Sequence, residues 1–410
     1  MRILILNTDY PDFLTSHYAQ NPSLKEASYQ SQMEARNQSL FGSADFYSYN
    51  LNALGHEVVE VHVNNLFLQQ KWVAEFAPDL KVDWPHPPSF VKKCVTRVKN
   101  YVDRRLKIPP WQVQVLTRQM ADFAPQVVWN QALDGIPTSV MKSLKKDIPF
   151  LMGQLAAPIP KSQDFRVYDL MISSLPNLVS YFEKLGVPAL HSHLAFDPRI
   201  LPQVPAVERD IPFLFVGSIT MQHPDRIALL EALSRETPLE IWGIISSDLP
   251  KSSPIWECYK GQAWGIQMYQ LLRRARITLN SHINIAENYA NNMRLFEATG
   301  CGTLLLTDAK ENLETLFVID QEVVAYKSVA DCLEKVIFYQ KNPSVAQRIA
   351  HKGQERTLGD HTYRKRLGEL WTLLAQKGHV PAPLAQKEYL SSPPKWGRPF
   401  VSEKQENLHE

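Results

Sequence analysis

Residues 291–302 read Asn291-Asn292-Met293-Arg294-Leu295-Phe296-Glu297-Ala298-Thr299-Gly300-Cys301-Gly302, and Thr303-Leu304-Leu305-Leu306-Thr307-Asp308 follows at once. Asn291 or Asn292 is a favourable N-cap, residues 293–299 can run as one helix, and Gly300 or Gly302 supplies the stop. The apolar run after them suits a strand buried on both faces. The first-turn amides of such a helix, pointing out of the 281–292 loop, attract an anion such as a diphosphate. Arg294 and Glu297 share one helix face, while Met293 and Phe296 share a neighbouring face that can pack inward. Arginine suits phosphate oxygens, and a carboxylate suits the vicinal diol of a ribose. The alternative is an ordinary capped helix bearing an exposed i,i+3 ion pair.

The same alternation continues on both sides. Residues 2–7, Arg-Ile-Leu-Ile-Leu-Asn, break at Thr8-Asp9-Tyr10-Pro11 as a buried parallel strand breaks into a loop, and such loops are where ligands bind. Further strands are expected at 57–63, 126–130, 148–153, 168–173 and 187–190. Val113, Leu116, Met120 and Phe123 keep helical spacing over 112–123. Residues 197–212 carry Pro198, Pro202, Pro205 and Pro212 and read as an extended linker. Beyond it strands are expected at 212–216, 239–242, 276–280, 303–307 and 322–326, closed by a helix over 363–374. Strands alternating with helices indicate open, mostly parallel sheets. The expected organisation is an amino-terminal α/β domain at 1–200, a linker at 201–212, a carboxyl-terminal α/β domain at 213–378 with a cleft between the two, and a partly disordered tail at 379–410 rich in Pro, Lys and Glu.

A length of 410 residues fits two or three folding units. Lys and Arg number 44 against 42 Asp and Glu, a formal net charge of +2, so no global excess draws the molecule onto nucleic acid or an anionic bilayer. Hydrophobic residues at 44% and charged residues at 21% exclude a disordered or fibrous chain. Cys94, Cys258, Cys301 and Cys332 lie far apart with no zinc-binding spacing, which points to a reduced compartment. Ile3-Leu4-Ile5-Leu6 is too short for a secretory signal, and no stretch approaches the roughly 20 apolar residues that span a bilayer. A cytoplasmic protein is expected.

The block from Asn292 through Arg294, Phe296-Glu297 and Gly302 to Leu304-Leu305-Leu306-Thr307 continues with Asn312-Leu313, Phe317, Glu322-Val323-Val324-Ala325-Tyr326, Gly353-Gln354-Glu355-Arg356-Thr357 and His361-Thr362. It resembles the carboxyl-terminal domain of the CgeB-like branch of the group 1 glycosyltransferases. Phe215-Val216-Gly217-Ser218, with His223 and Arg226, is similar to the start of that domain. Asp169-Leu170-Met171-Ile172-Ser173-Ser174, Leu194-Ala195-Phe196-Asp197-Pro198 and Leu54-Gly55-His56-Glu57-Val58 carry the likeness into the amino-terminal half. The resemblance implies the α/β GT-B fold, two Rossmann-like domains facing a central cleft. It also implies a nucleoside-diphosphate sugar donor held mainly by the second domain and an acceptor site mainly on the first.

By that resemblance Glu297 matches the second of two family glutamates, the one that holds the donor ribose. The first, eight positions earlier, falls at 289, where this chain has Tyr289. Glu287, Asn291, Asn292 or backbone amides of the loop are left as the groups touching the sugar. Breaking the sugar–phosphate bond builds negative charge on the departing diphosphate, so cationic groups belong there. Arg226, Arg294 and Lys260 are the candidates, and Gly217 with Ser218 lets backbone approach the phosphates. The chain has no Asp-x-Asp signature, and the resemblance implies independence of a divalent ion; no metal and no cofactor are expected. It also favours retention, in which the leaving phosphate can act as base. Asp9, Asp12 and His17 are the ionisable groups of the first loop; Asp9 reads as a turn-former before Pro11, and His193 as a core or hinge histidine.

Residues 91–107 carry Lys92, Lys93, Arg97, Lys99, Arg104, Arg105 and Lys107 against Asp103 alone, with apolar residues at helical spacing. Such a basic amphipathic helix suits peripheral contact with an anionic membrane or guidance of a charged acceptor; the alternative is a solvated outer face. Two further functions stay open beside the transferase: a nucleotide-sugar-binding module that has lost turnover, to which Tyr289 points, and a membrane-associated scaffold acting through residues 91–107.

Overall fold

The computed structural model describes residues 1–85, 108–160, 163–378 and Trp396. The basic stretch with Lys92, Lys93, Arg97, Lys99, Arg104 and Arg105 and, Trp396 apart, the expected tail lie outside the described residues. The described residues divide into two compact units: those within Met1–Arg36 and Tyr47–His191 and those from Trp371 form one, and those within Asn37–Phe46 and Ser192–Leu370 form the other.

The first unit is built on a six-stranded sheet of β1 (Arg2–Asn7), β2 (Glu57–His62), β3 (Val127–Asn130), β4 (Phe150–Gln154), β5 (Leu170–Ser173) and β6 (Ala189–His191), in the order β2-β1-β3-β4-β5-β6. Every pair is parallel, and β1 sits between two partners with Ile3 opposite Val58 on one side and Val127 on the other. A strand covered on both faces must be apolar throughout, and Ile3, Leu4, Ile5 and Leu6 are all fully buried. Asp9 departs from its expected role. Its carboxylate is completely buried, 2.8 Å from Arg36 Nη2 and 3.3 Å from His62 Nδ1. Burial alone would push that carboxyl up, but Arg36 and His62 outweigh it and hold it far below the usual carboxylate range.

The second unit repeats the plan with β7 (Ile211–Val216), β8 (Leu239–Trp242), β9 (Tyr259–Gly261), β10 (Ala275–Leu279), β11 (Leu304–Asp308) and β12 (Val324–Tyr326), ordered β12-β11-β10-β7-β8-β9 and all parallel. Phe213, Leu230, Leu233, Ile241, Ile277, Leu304 and Val336 belong to one apolar core around this sheet. The strand order reverses between β7 and β10, and open α/β sheets bind ligands at the carboxyl ends of the strands flanking such a reversal.

The boundaries differ from those read in the sequence. The second unit begins at Ser192 and takes in Asn37–Phe46, rather than starting after a linker at 201–212. Within that stretch Ile200–Gln203 is a short helix and β7 starts at Ile211. Pro202 sits in the first turn, where no backbone N–H is needed, and Pro212 is the second residue of its strand, so neither proline breaks its element. Cys258, Cys301 and Cys332 are free thiols, and burial pushes those of Cys301 and Cys332 up to about 12, which leaves them unreactive. Among the described residues no helix is long and apolar enough to cross a membrane.

Candidate functional site

A cavity of about 320 Å³ opens at the carboxyl ends of β7 and β10, within the second unit. Gly217, Ser218, Arg226, Asn292, Arg294 and Glu297 all line it. Lys260 does not: it is exposed on β9, and Glu287, Tyr289 and Asn291 are also absent from the lining. Backbone packing sets the floor. Gly243 adopts φ +128, and a Cβ there would lie 2.2 Å from the Gly217 carbonyl oxygen, so only glycine lets the ends of β7 and β8 close on each other.

The helix Met293–Gly300 starts at the cavity with Asn292 as its N-cap; the Asn292 Oδ1 accepts from the Leu295 N–H at 3.2 Å. Its Nδ2 donates to Asn280 Oδ1 at 2.6 Å, and Asn280 Nδ2 donates to Thr307 Oγ1 at 2.9 Å. The helix start is thus tied to the ends of β10 and β11. From the first turn of this helix, Arg294 Nη1 lies 2.8 Å from Glu297 Oε2, with the two side chains only 13% and 7% exposed. The pair is therefore not the exposed surface pair that its spacing allows. Arg294 Nη2 also donates to the Val216 carbonyl at 3.1 Å, and the Tyr269 hydroxyl donates to Glu297 Oε1 at 3.4 Å. Burial above all, and then the charge of Glu297, pushes the Tyr269 hydroxyl well above its ordinary value, so it remains a neutral donor.

Arg226 belongs to the first turn of the helix Pro224–Glu236. Its guanidinium donates to the carbonyls of Ser218 at 3.0 Å and Ser281 at 2.5 Å and lies over the Phe215 ring. Neither oxygen carries a full charge, and among the described residues no carboxylate forms an ion pair with it. Asp308, which bears on it electrostatically, is held by His282 Nδ1 at 2.6 Å and Lys310 Nζ at 3.4 Å. Burial pulls the Arg226 affinity for its proton down. A half-buried cation with only neutral partners gains from an arriving anion. Among the described residues no group of three or more His, Cys, Asp or Glu side chains is arranged to hold a metal ion.

Sequence reasoning missed part of the wall. Leu40, Phe41 and Gly42 line the cavity, as do Ala263, Trp264, Gly265 and Met268. The only local signal was the glycine beside Trp264, a weak one, and nothing near residue 41 relates it to residue 264.

Residues 226–372 match a family described as glycosyl transferase-like. The whole fold aligns with sucrose-phosphate synthase from Thermosynechococcus elongatus at a TM-score of 0.55 and 11% identity, covering 92% of this chain and 100% of that one. It aligns equally with HepE from Anabaena in complex with UDP and glucose at a TM-score of 0.54 and 10% identity, again over 92% and 100% of the two chains. The fold is GT-B. No curated protein matches the chain. Within this GT-B chain the glycosyl transferase-like stretch holds Arg226, Asn292, Arg294 and Glu297, whereas Gly217, Ser218 and residues 40–42 precede it.

Proposed function

We propose that the protein is a glycosyltransferase of the CgeB-like branch that moves a sugar from a nucleoside-diphosphate donor to an acceptor, with retention and without a metal ion. The reading is carried by one observation: Glu297, a buried carboxylate, and Arg226, a cation that pairs with no carboxylate among the described residues, line the same cavity at the strand-order reversal of the second sheet. Glu297 accepts two hydrogen bonds from the ribose diol, and Tyr269 and Arg294 orient it for that role. Arg226 faces the diphosphate beside the Gly217-Ser218 turn, with the Asn292-capped helix start adding its dipole.

Rupture of the sugar–phosphate bond leaves negative charge on the diphosphate, which Arg226 stabilises most as the bond breaks. In a retaining reaction the departing phosphate oxygen accepts the proton of the incoming acceptor hydroxyl, so the chemistry calls on no carboxylate of this chain as base. Lys260, on the exposed face of β9, is left out of the donor site. The GT-B likeness supports the two-domain division of labour, and the HepE complex with UDP and glucose supports a nucleoside diphosphate and a sugar as ligands for such a fold.

The test is release of nucleoside diphosphate from a panel of nucleotide sugars. Turnover is expected with at least one donor, and Glu297→Gln should weaken nucleotide binding by about 10- to 100-fold, the range for hydrogen bonds to a charged group. No release from any donor, together with unchanged nucleotide affinity in Glu297→Gln, would overturn the reading.

A further inference from the structure

The cavity wall is completed by chain far away in sequence. Residues 37–46, from the end of the helix Tyr29–Gln38 to the start of the helix Phe46–Ala53, group with the second unit, and Leu40, Phe41 and Gly42 line the cavity together with Arg226 and Glu297. The segment is pinned at both ends. The Ile266 N–H donates to the Ser39 carbonyl at 2.8 Å, and Asp45 pairs with Arg199 at 3.0 Å. Gly265 adopts φ +49, and a Cβ on it would stand 2.0 Å from the Ser39 oxygen, so glycine alone permits this contact. At the cavity itself the rings of Phe41 and Trp264 meet edge to face with centroids 5.6 Å apart.

The backbone of this segment is strained. Leu40 at φ 55 and Ala44 at φ 43 are left-handed without being glycine, both are buried, and Gly42 lies between them at φ 61. Such conformations persist where the surroundings over-determine them and gather at ligand clamps. The charged groups of the lining suit the ribose and diphosphate, while Leu40, Phe41, Ile244, Trp264 and Met268 give it apolar and aromatic surface suited to a flat ring.

We propose that residues 40–42 and Trp264 form the nucleobase wall of the donor cavity, and that Phe41 determines which base is accepted. This rests on the donor reading above and extends it to a residue outside the glycosyl transferase-like stretch. Phe41 then restricts the room beside Trp264, and bases of different size or edge pattern are sorted by fit rather than by charge.

Calorimetric titration with UDP, CDP, ADP and GDP tests this in the full chain, using the wild type, Phe41→Ala, Phe41→Tyr and Trp264→Ala. The wild type is expected to prefer one base by about tenfold or more. Phe41→Ala and Trp264→Ala should compress that preference to within about threefold, while Phe41→Tyr keeps it. Arg226→Ala should weaken all four ligands alike and leave the ranking intact. If the wild type binds the four equally, or if its ranking survives in both alanine variants, the inference fails while the donor reading stands. If the wild type binds none of them, the donor reading fails and this inference with it. Trp264→Ala, at a half-buried position, keeps the test decisive should Phe41→Ala not fold.

Discussion

Arg226 donates to two carbonyl oxygens, those of Ser218 and Ser281, and its charge is left for a ligand to satisfy. Arg226→Ala is therefore expected to lower affinity for a nucleoside diphosphate by about 10- to 100-fold, as for a lost charged hydrogen bond, with little change for the uncharged nucleoside. Calorimetry with both ligands checks this, and an equal loss for the two would mean that the arginine only supports the fold. Asp9 shows the opposite balance, a buried carboxylate already satisfied. Arg36→Ala removes its guanidinium partner and leaves His62 beside it, and should cost about 3 kcal/mol of stability, read as a lowered denaturation midpoint. The sequence made Arg294 and Glu297 visible as an i,i+3 pair but not their burial, which depends on the helix Ile266–Arg274 placing Tyr269 against Glu297. Asp9 was misread for the same reason: Arg36 and His62 lie 27 and 53 residues away, and Tyr10-Pro11 beside it gave a plausible local turn.

At the scale of elements, the helix Met293–Gly300 depends on one side chain with two tasks. Asn292 caps the helix through Oδ1 and ties it to Asn280 through Nδ2. Asn292→Ala loses both and should cost about 1–2 kcal/mol for the cap plus roughly 1 kcal/mol for the second bond. Asn292→Asp keeps the cap and loses only the second, so thermal melts should rank wild type, aspartate, alanine in falling order. Equal losses in the two variants would show that the cap contributes nothing. This helix and the strand after it were legible because cap, apolar face and glycine stop lie within twelve residues of each other. β9 was not: Tyr259-Lys260-Gly261 is three residues long, has no buried position and sits at a sheet edge next to a register shift. The prolines of 197–212 suggested an extended chain because proline forbids helix interiors and central strands, yet Pro202 and Pro212 occupy the permitted first-turn and strand-start positions.

Across the whole molecule, the two parallel sheets were legible because strands covered on both faces leave continuous apolar runs, whereas the allegiance of Asn37–Phe46 to the second unit leaves no local pattern. In each unit burial also lowers the proton affinity of a histidine. In the second, His361 lies between the rings of Phe296 and Phe317, its Nε2 2.8 Å from the Leu316 carbonyl and its Nδ1 2.6 Å from Arg366 Nη2. A donating Nε2 and an accepting Nδ1 fix the neutral tautomer. Burial above all, with Arg366 adding to it, lowers His361 from 6.5 to about 4, although the bond to Leu316 pulls the other way. In the first unit burial, followed by the charge of the chain's amino terminus, lowers His56 to about 4 as well. An unfolded chain takes up these protons near pH 6.5 and the folded chain only near 4. The stability that neutrality confers is thus complete above about 6.5 and drains away as pH falls toward 4. Each histidine contributes on the order of 3 kcal/mol across that window. Glu57 and Glu60, whose carboxyls burial pushes up, act in the opposite sense and soften the lower end. The denaturation midpoint should therefore fall as pH is lowered from 7 to 4.5. His361→Gln, which can still donate to Leu316 but has no proton to gain, should fall less steeply; an identical slope in the variant would place the pH dependence elsewhere.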